Sequence, residues 1–136
     1  MTAKEFLLRA WKIDQRIDRK IEERERLIAK LTAGRSASIS GMPRGGRFDW
    51  TDGVDAVIEM DAAINAEIKE LCRVKREVND AIDAVEDARY RSVLELRYRN
   101  YKTWAQIADD LGVDERHVYR MHGRALLRVR IPERMK

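Results

Sequence analysis

Arg116, Arg120 and Arg124 recur at intervals of four, the spacing that keeps side chains on one face of an α-helix. A guanidinium is a permanently charged planar fork. It can grip a phosphate or bond the edge of a guanine through two parallel hydrogen bonds, so the spacing describes a rod able to lie in a duplex groove. Gly123 falls on the same side, where its missing side chain would let the backbone approach a sugar-phosphate wall. His117 and Tyr119 flank this face and would meet phosphate or a thymine methyl. Nothing comparable points to catalysis. His117 and His122 are about 140° apart around a helix and cannot share a metal, and Cys72 is far away in the chain. Asp109 and Asp110 are expected on a solvated surface. No phosphate-cradling glycine loop, paired-carboxylate motif or nucleophile elbow is present. The expectation is a binding protein with no catalytic residue, no cofactor and no metal.

Such a rod needs a partner helix to hold it. In TWAQIADDLGVDERHVYRMHGRALLRVR, Thr103 to Arg130, Thr103 and Gln106 form a capping box that opens a first helix. Ile107, Ala108 and Leu111 share one face, and Ala108 is small enough for a second backbone to come close. Gly112 ends the helix, because the left-handed conformation common just past a helix end carries no steric penalty for glycine. Val113 fills the corner and Asp114 caps a second helix, whose Val118, Met121, Ala125 and Val129 point inward. Two short helices crossing at a tight bend, the second free to enter a major groove, make a helix-turn-helix. An ordinary helical hairpin with a glycine between its halves is the plainer alternative.

Charge follows the same division. Residues 1–86 carry 16 basic and 17 acidic residues, whereas residues 87–136 carry 12 and 7, so the whole net charge of +4 lies in the C-terminal part. Arg120, Arg124, Arg128, Arg130, Arg134 and Lys136 form a basic run opposed only by Glu133. A phosphate backbone is its natural complement, through counterion release. Thr103, Arg128, Arg130, Arg134 and Lys136 are accordingly read as a second, phosphate-contacting set.

The segment from about Ala88 to Ile131 resembles region 4 of the sigma-70 class of transcription initiation factors. The likeness rests on YRSVLELRY at Tyr90 to Tyr98, on TWAQIADDLGV, and on the run from Val118 to Leu126 followed by Arg128 and Arg130. It implies promoter recognition by the second helix and contact with RNA polymerase. By position it makes Glu115, Arg116, His117, Tyr119 and Arg120 the base- and phosphate-contacting set. Glu115 stands where primary sigma factors tend to carry arginine, so the promoter sequence itself does not carry over. Nothing upstream resembles the aromatic-rich domain with which sigma factors melt DNA, so the chain is not a stand-alone sigma factor. Its layout is similar to small phage and prophage proteins, the RinA- and ArpU-type late-gene regulators and a related uncharacterised prophage family, with short strings such as RIDRK and INAEIKEL in common.

Upstream, periodicity predicts two long helices. Thr2 and Glu5 open the first, whose apolar stripe, including Phe6, Leu7, Ala10, Ile13, Ile17 and Ile21, runs to about Thr32. The second starts after Asp52, with Val57, Ile64, Leu71, Val78 and Val85 every seven residues and Ile68 and Ile82 between them. The expected fold is all-α: a long antiparallel, coiled-coil-like hairpin over 1–86, with a flexible loop at about 33–52, then a sigma region 4-like helix-turn-helix domain with a basic tail over 87–136. In the loop, Arg35, Arg44 and Arg47 read either as a phosphate-seeking arm or as disorder without a role. A two-helix seam alone buries too little apolar surface to offset the ordering of its backbone. Either the C-terminal domain covers it or two chains pair; pairing into a homodimer is preferred, since it matches operator symmetry.

Cys72 excludes an internal disulfide and is expected beside the helical seam. No secretory signal or membrane-spanning run is visible, so no membrane partner and a cytoplasmic location are expected. Two functions stay open. One is a transcription regulator, a late-gene activator, that binds double-stranded DNA and engages polymerase. The other is a packaging adaptor resembling a small terminase subunit, which binds DNA as an oligomer; those subunits usually place the DNA motif first, whereas here it is last.

Overall fold

The computed structural model describes residues 1–39 and 50–136, and every element among them is helical. The helices are α1 (Ala3–Ile39), α2 (Trp50–Asp83), α3 (Ala88–Leu94), α4 (Trp104–Leu111) and α5 (Glu115–Leu126). A π-helical turn, Glu95–Arg99, continues α3, and a short 3-10 turn spans Glu133–Met135. Of the loop expected at 33–52, residues 33–39 belong to α1 and 50–52 to α2, while 40–49 lie outside the described residues. The chain divides into two compact units, 13–70 and a discontinuous one of 1–12 with 71–136.

In the unit of residues 13–70, Ile13, Ile17, Leu31 and Ile64 are buried. Arg16 and Lys20 both reach Glu67 at 3.4 Å, and Arg24 reaches Asp61 at 2.5 Å. Partners on α2 fall in number as those on α1 rise, the order that oppositely directed neighbouring segments produce. A Cβ on Gly53 would overlap the buried Leu31 side chain, so glycine permits that close approach. Two positions of the expected seam are not in it: Ile21 and Ile68 are exposed, as is Ile58 at 60%. Each of the two stands four residues after a buried one, Ile17 or Ile64, and four steps of about 100° carry a side chain about 40° around the helix, to the edge of the buried stripe.

The other unit is built around Phe6, Leu7 and Ala10 of α1 and Val74, Val78 and Ile82 of α2, all within 1% of full burial. Burying each of the larger side chains contributes about 1.5–3 kcal/mol. Cys72 is exposed rather than tucked beside them, one position past buried Leu71 and on another face of the helix. After α2 the chain turns at Val85, and Asp87 accepts the backbone N–H of Arg89 to cap α3. The wide turn after Leu94 closes with Asn100 donating to the Glu95 carbonyl at 3.1 Å, and Tyr101 then takes a left-handed conformation at φ 55°. Arg99 ties this turn back to α2 through the Asn79 carbonyl and Asp83.

At the C-terminus, Glu77 is held by Arg9 at 2.9 Å, by Arg73 at 2.8 Å and by Arg134. Burial by itself would raise its pKa, but the hydrogen bonds and charges of Arg9 and Arg134 prevail and hold it below the ordinary carboxylate value. Among the described residues no helix is long and apolar enough to cross a membrane.

Candidate nucleic-acid interface

α4 begins where its sequence says it should. Thr103 Oγ1 accepts the Gln106 N–H at 3.2 Å while Gln106 Oε1 accepts the Thr103 N–H at 2.9 Å. The helix ends at Gly112, φ 66° and ψ 34°, whose N–H and that of Val113 close the last turn onto Asp109 and Ala108 carbonyls. Two residues on, Asp114 Oδ1 accepts the His117 N–H at 2.7 Å and starts α5. Ile107, Ala108 and Val118 form a buried cluster, with Leu96, Trp104, Leu111 and Val113 packed around it. Both ends of the bend are therefore fastened by local bonds, and its inside is apolar.

α5 has two different faces. Val118, His122 and Ala125 are buried at intervals of four and three, while Met121 and Leu126 are half-buried. Glu115, Arg116, His117, Tyr119, Arg120, Gly123 and Arg124 are all exposed. Arg116, Arg120 and Arg124 make no ion pair or hydrogen bond among the described residues, unlike Arg9, Arg24, Arg89, Arg97 and Arg99. Apart from its chain neighbours and the helix's own backbone, nothing among the described residues lies within 4 Å of the place a Cβ would take on Gly123, so that side of α5 is open.

The second set is less uniform. Thr103 is exposed, and with its oxygen accepting from Gln106 its hydroxyl hydrogen remains available to an acceptor. Arg130 is exposed without a partner among the described residues. The other three are engaged: Arg128 lies 5.3 Å over the Tyr90 ring, Arg134 pairs with Glu77, and Lys136 pairs with Glu133 at 3.1 Å. α5 ends at Leu126, so Val129, expected on its inner face, lies beyond the helix. The basic run accordingly does not continue as one rod.

Beneath α5 lies a polar and aromatic group that the helical pattern of apolar residues alone does not disclose. Tyr98 Oη and His122 Nε2 are 2.6 Å apart and buried. Burial pushes the Tyr98 hydroxyl up to about 12 and the His122 imidazole down to about 4, the latter helped by the charges of Lys4 and Arg97. A neutral histidine accepting from a neutral tyrosine satisfies both shifts. Trp104 meets His122 edge-on at 4.6 Å and Tyr119 at 5.3 Å, and Arg97 stacks over Trp104 at 4.3 Å. The signal for His122 was its place, four residues after inward-facing Val118; for Tyr98, Trp104 and Arg97 no spacing in the sequence announces the contact. Among the described residues, no three His, Cys, Asp or Glu side chains come together as a metal site.

No curated protein and no solved structure matches the chain. The family model described as Protein of unknown function (DUF1492) matches residues 30–129, about three quarters of the sequence, and the chain belongs to that family.

Proposed function

We propose that this protein is a sequence-specific regulator of transcription that binds double-stranded DNA, with α4 and α5 acting as a helix-turn-helix of the sigma region 4 type behind a long antiparallel hairpin. The reading includes a late-gene role in a phage or prophage, contact with RNA polymerase, pairing of two chains and a cytoplasmic setting, and it includes no catalysis. One observation carries it. Arg116, Arg120 and Arg124 stand exposed and unpaired among the described residues on one side of α5, while the opposite side is buried against α4 and α3.

Chemically, a helix fixed on one face can present its other face to a major groove without rearranging. The arginine forks would bond guanine edges or phosphates, and Gly123 would let the α5 backbone come near the groove wall. Tyr119, braced by Trp104, and His117 would add contacts to phosphate or to a thymine methyl. Glu115 at the start of the helix is suited to accept from a cytosine amino group. Thr103 and Arg130 would hold the backbone and set register without reading sequence.

Selection of bound duplexes from a random pool tests this reading. An enriched motif is expected, and two spaced half-sites in inverted orientation would follow from paired chains. Recovery of random sequence, or of no DNA, would contradict sequence-specific binding.

A further inference from the structure

Two neighbouring clefts in the unit of residues 1–12 and 71–136 are lined by no residue of α4 or α5. The first, of about 270 Å³, has Leu8, Trp11, Tyr98 and Tyr101 as walls and Arg97 at its side. The second, of about 220 Å³, shares Tyr98 and Tyr101 and adds Lys75 and Arg99. Trp11 is 43% exposed, although a tryptophan on a helix whose neighbours Leu7 and Ala10 are buried would ordinarily be drawn inward. Neither cleft is lined by a carboxylate, whereas three cations line them. The backbone that brings these groups together is unusual on two counts, the π-helical turn over Glu95–Arg99 and the left-handed Tyr101 just after it. Such departures cost energy and are often kept where a surface is used.

The geometry points to a docking site for an acidic peptide segment of a partner protein. One aromatic side chain of that segment would enter the Trp11–Tyr101 cleft, and its flanking carboxylates would face Lys75 and Arg97. The volume of the first cleft suits a single large side chain. Charge complementarity selects acid around it: Arg99 is already held by Asp83, but exposed Lys75 takes no partner among the described residues, and Arg97, bonded to the Lys102 carbonyl and stacked over Trp104, takes no carboxylate among them. This site shares no residue with the exposed face of α5, so it stands independently of the DNA reading.

The probe is a capped nine-residue peptide with phenylalanine at the centre of aspartate, glutamate and serine, titrated into the full chain by calorimetry and followed by Trp11 indole resonances. Comparison peptides carry alanine at the centre or lysine in place of every acid. Binding is expected below 1 mM for the phenylalanine peptide, about tenfold weaker for alanine, and undetectable for lysine. Trp11→Ala should weaken the first by about tenfold, with helical content unchanged by circular dichroism, and Lys75→Glu should weaken it by a smaller factor that shrinks as salt is added. Failure of the phenylalanine peptide to bind, equal binding of phenylalanine and alanine peptides, an unchanged affinity in Trp11→Ala, or displacement by single-stranded oligothymidine at lower concentration would each overturn the assignment.

Discussion

Under α5, one short hydrogen bond joins two residues that burial keeps neutral. His122 holds its proton less tightly in the fold than an unfolded histidine does, about 4 against an ordinary 6.5. Its contribution to stability is therefore complete above pH 6.5 and is lost as pH falls through that window toward 4, because the unfolded chain takes up the proton first. Ring resonances of His122 should titrate with a midpoint near 4, and a midpoint above 6 would show that the imidazole is not sealed. Tyr98→Phe keeps the ring and removes the hydroxyl, leaving buried Nε2 without its partner at 2.6 Å. The expected loss is about 1–3 kcal/mol in urea unfolding, and a loss under 0.5 kcal/mol would mean water replaces the bond. At this scale the sequence discloses the outward residues of α5 better than the inward ones. Arginines every four residues are visible as a pattern, but a histidine in a core is recognised only by the tyrosine that meets it from elsewhere in the chain.

The helices owe their limits to a few local devices, and those devices give the sharpest predictions. Gly112 has open space around it, so Gly112→Ala meets no neighbour and is disfavoured only by its φ of 66°. The cost should be about 1–2 kcal/mol, and Gly112→Asn should recover part of it. Gly123 lies inside α5 with nothing near it, so Gly123→Ala should stabilise the fold by roughly 0.5–1 kcal/mol. If α5 lies in a groove, the same change weakens DNA binding. A variant that gains both stability and affinity would argue against close approach of the backbone. Caps were legible in the sequence, since Thr103 with Gln106 and Asp114 bond over three residues and depend on nothing distant. The far end of α1 was not: Ala33 to Ile39 reads as loop from its glycine and serines, yet small differences in propensity do not stop a helix already propagating. The π-helical turn had no sequence signature either: its closing bond is between backbone groups, and Arg97 and Arg99 hold it by reaching groups outside it.

Over the whole molecule, periodicity revealed two long helices but not how they are shared. α1 gives its first residues to the unit that contains α3, α4 and α5, and α2 gives its last ones, so neither helix belongs to a single body. Seven-residue repeats report which residues face inward, and not which of several neighbours they face. Exposed Ile21, Ile58 and Ile68 supply apolar surface in the unit of residues 13–70. If two chains pair there, light scattering should give twice the mass of one chain, and Ile58→Asp with Ile68→Asp should return it to a single chain without loss of helix. A monomer in the unaltered protein would remove pairing, and a ring of eight or more chains would favour the packaging role instead.

Titration of Arg120→Ala against the duplex recovered by selection, beside a scrambled duplex of equal length at the same salt, addresses recognition by α5 most directly. Groove reading predicts a loss of about 1–3 kcal/mol on the selected duplex and a much smaller one on the scrambled duplex. Unchanged affinity for the selected duplex, or an equal loss on both, would contradict base recognition by this helix.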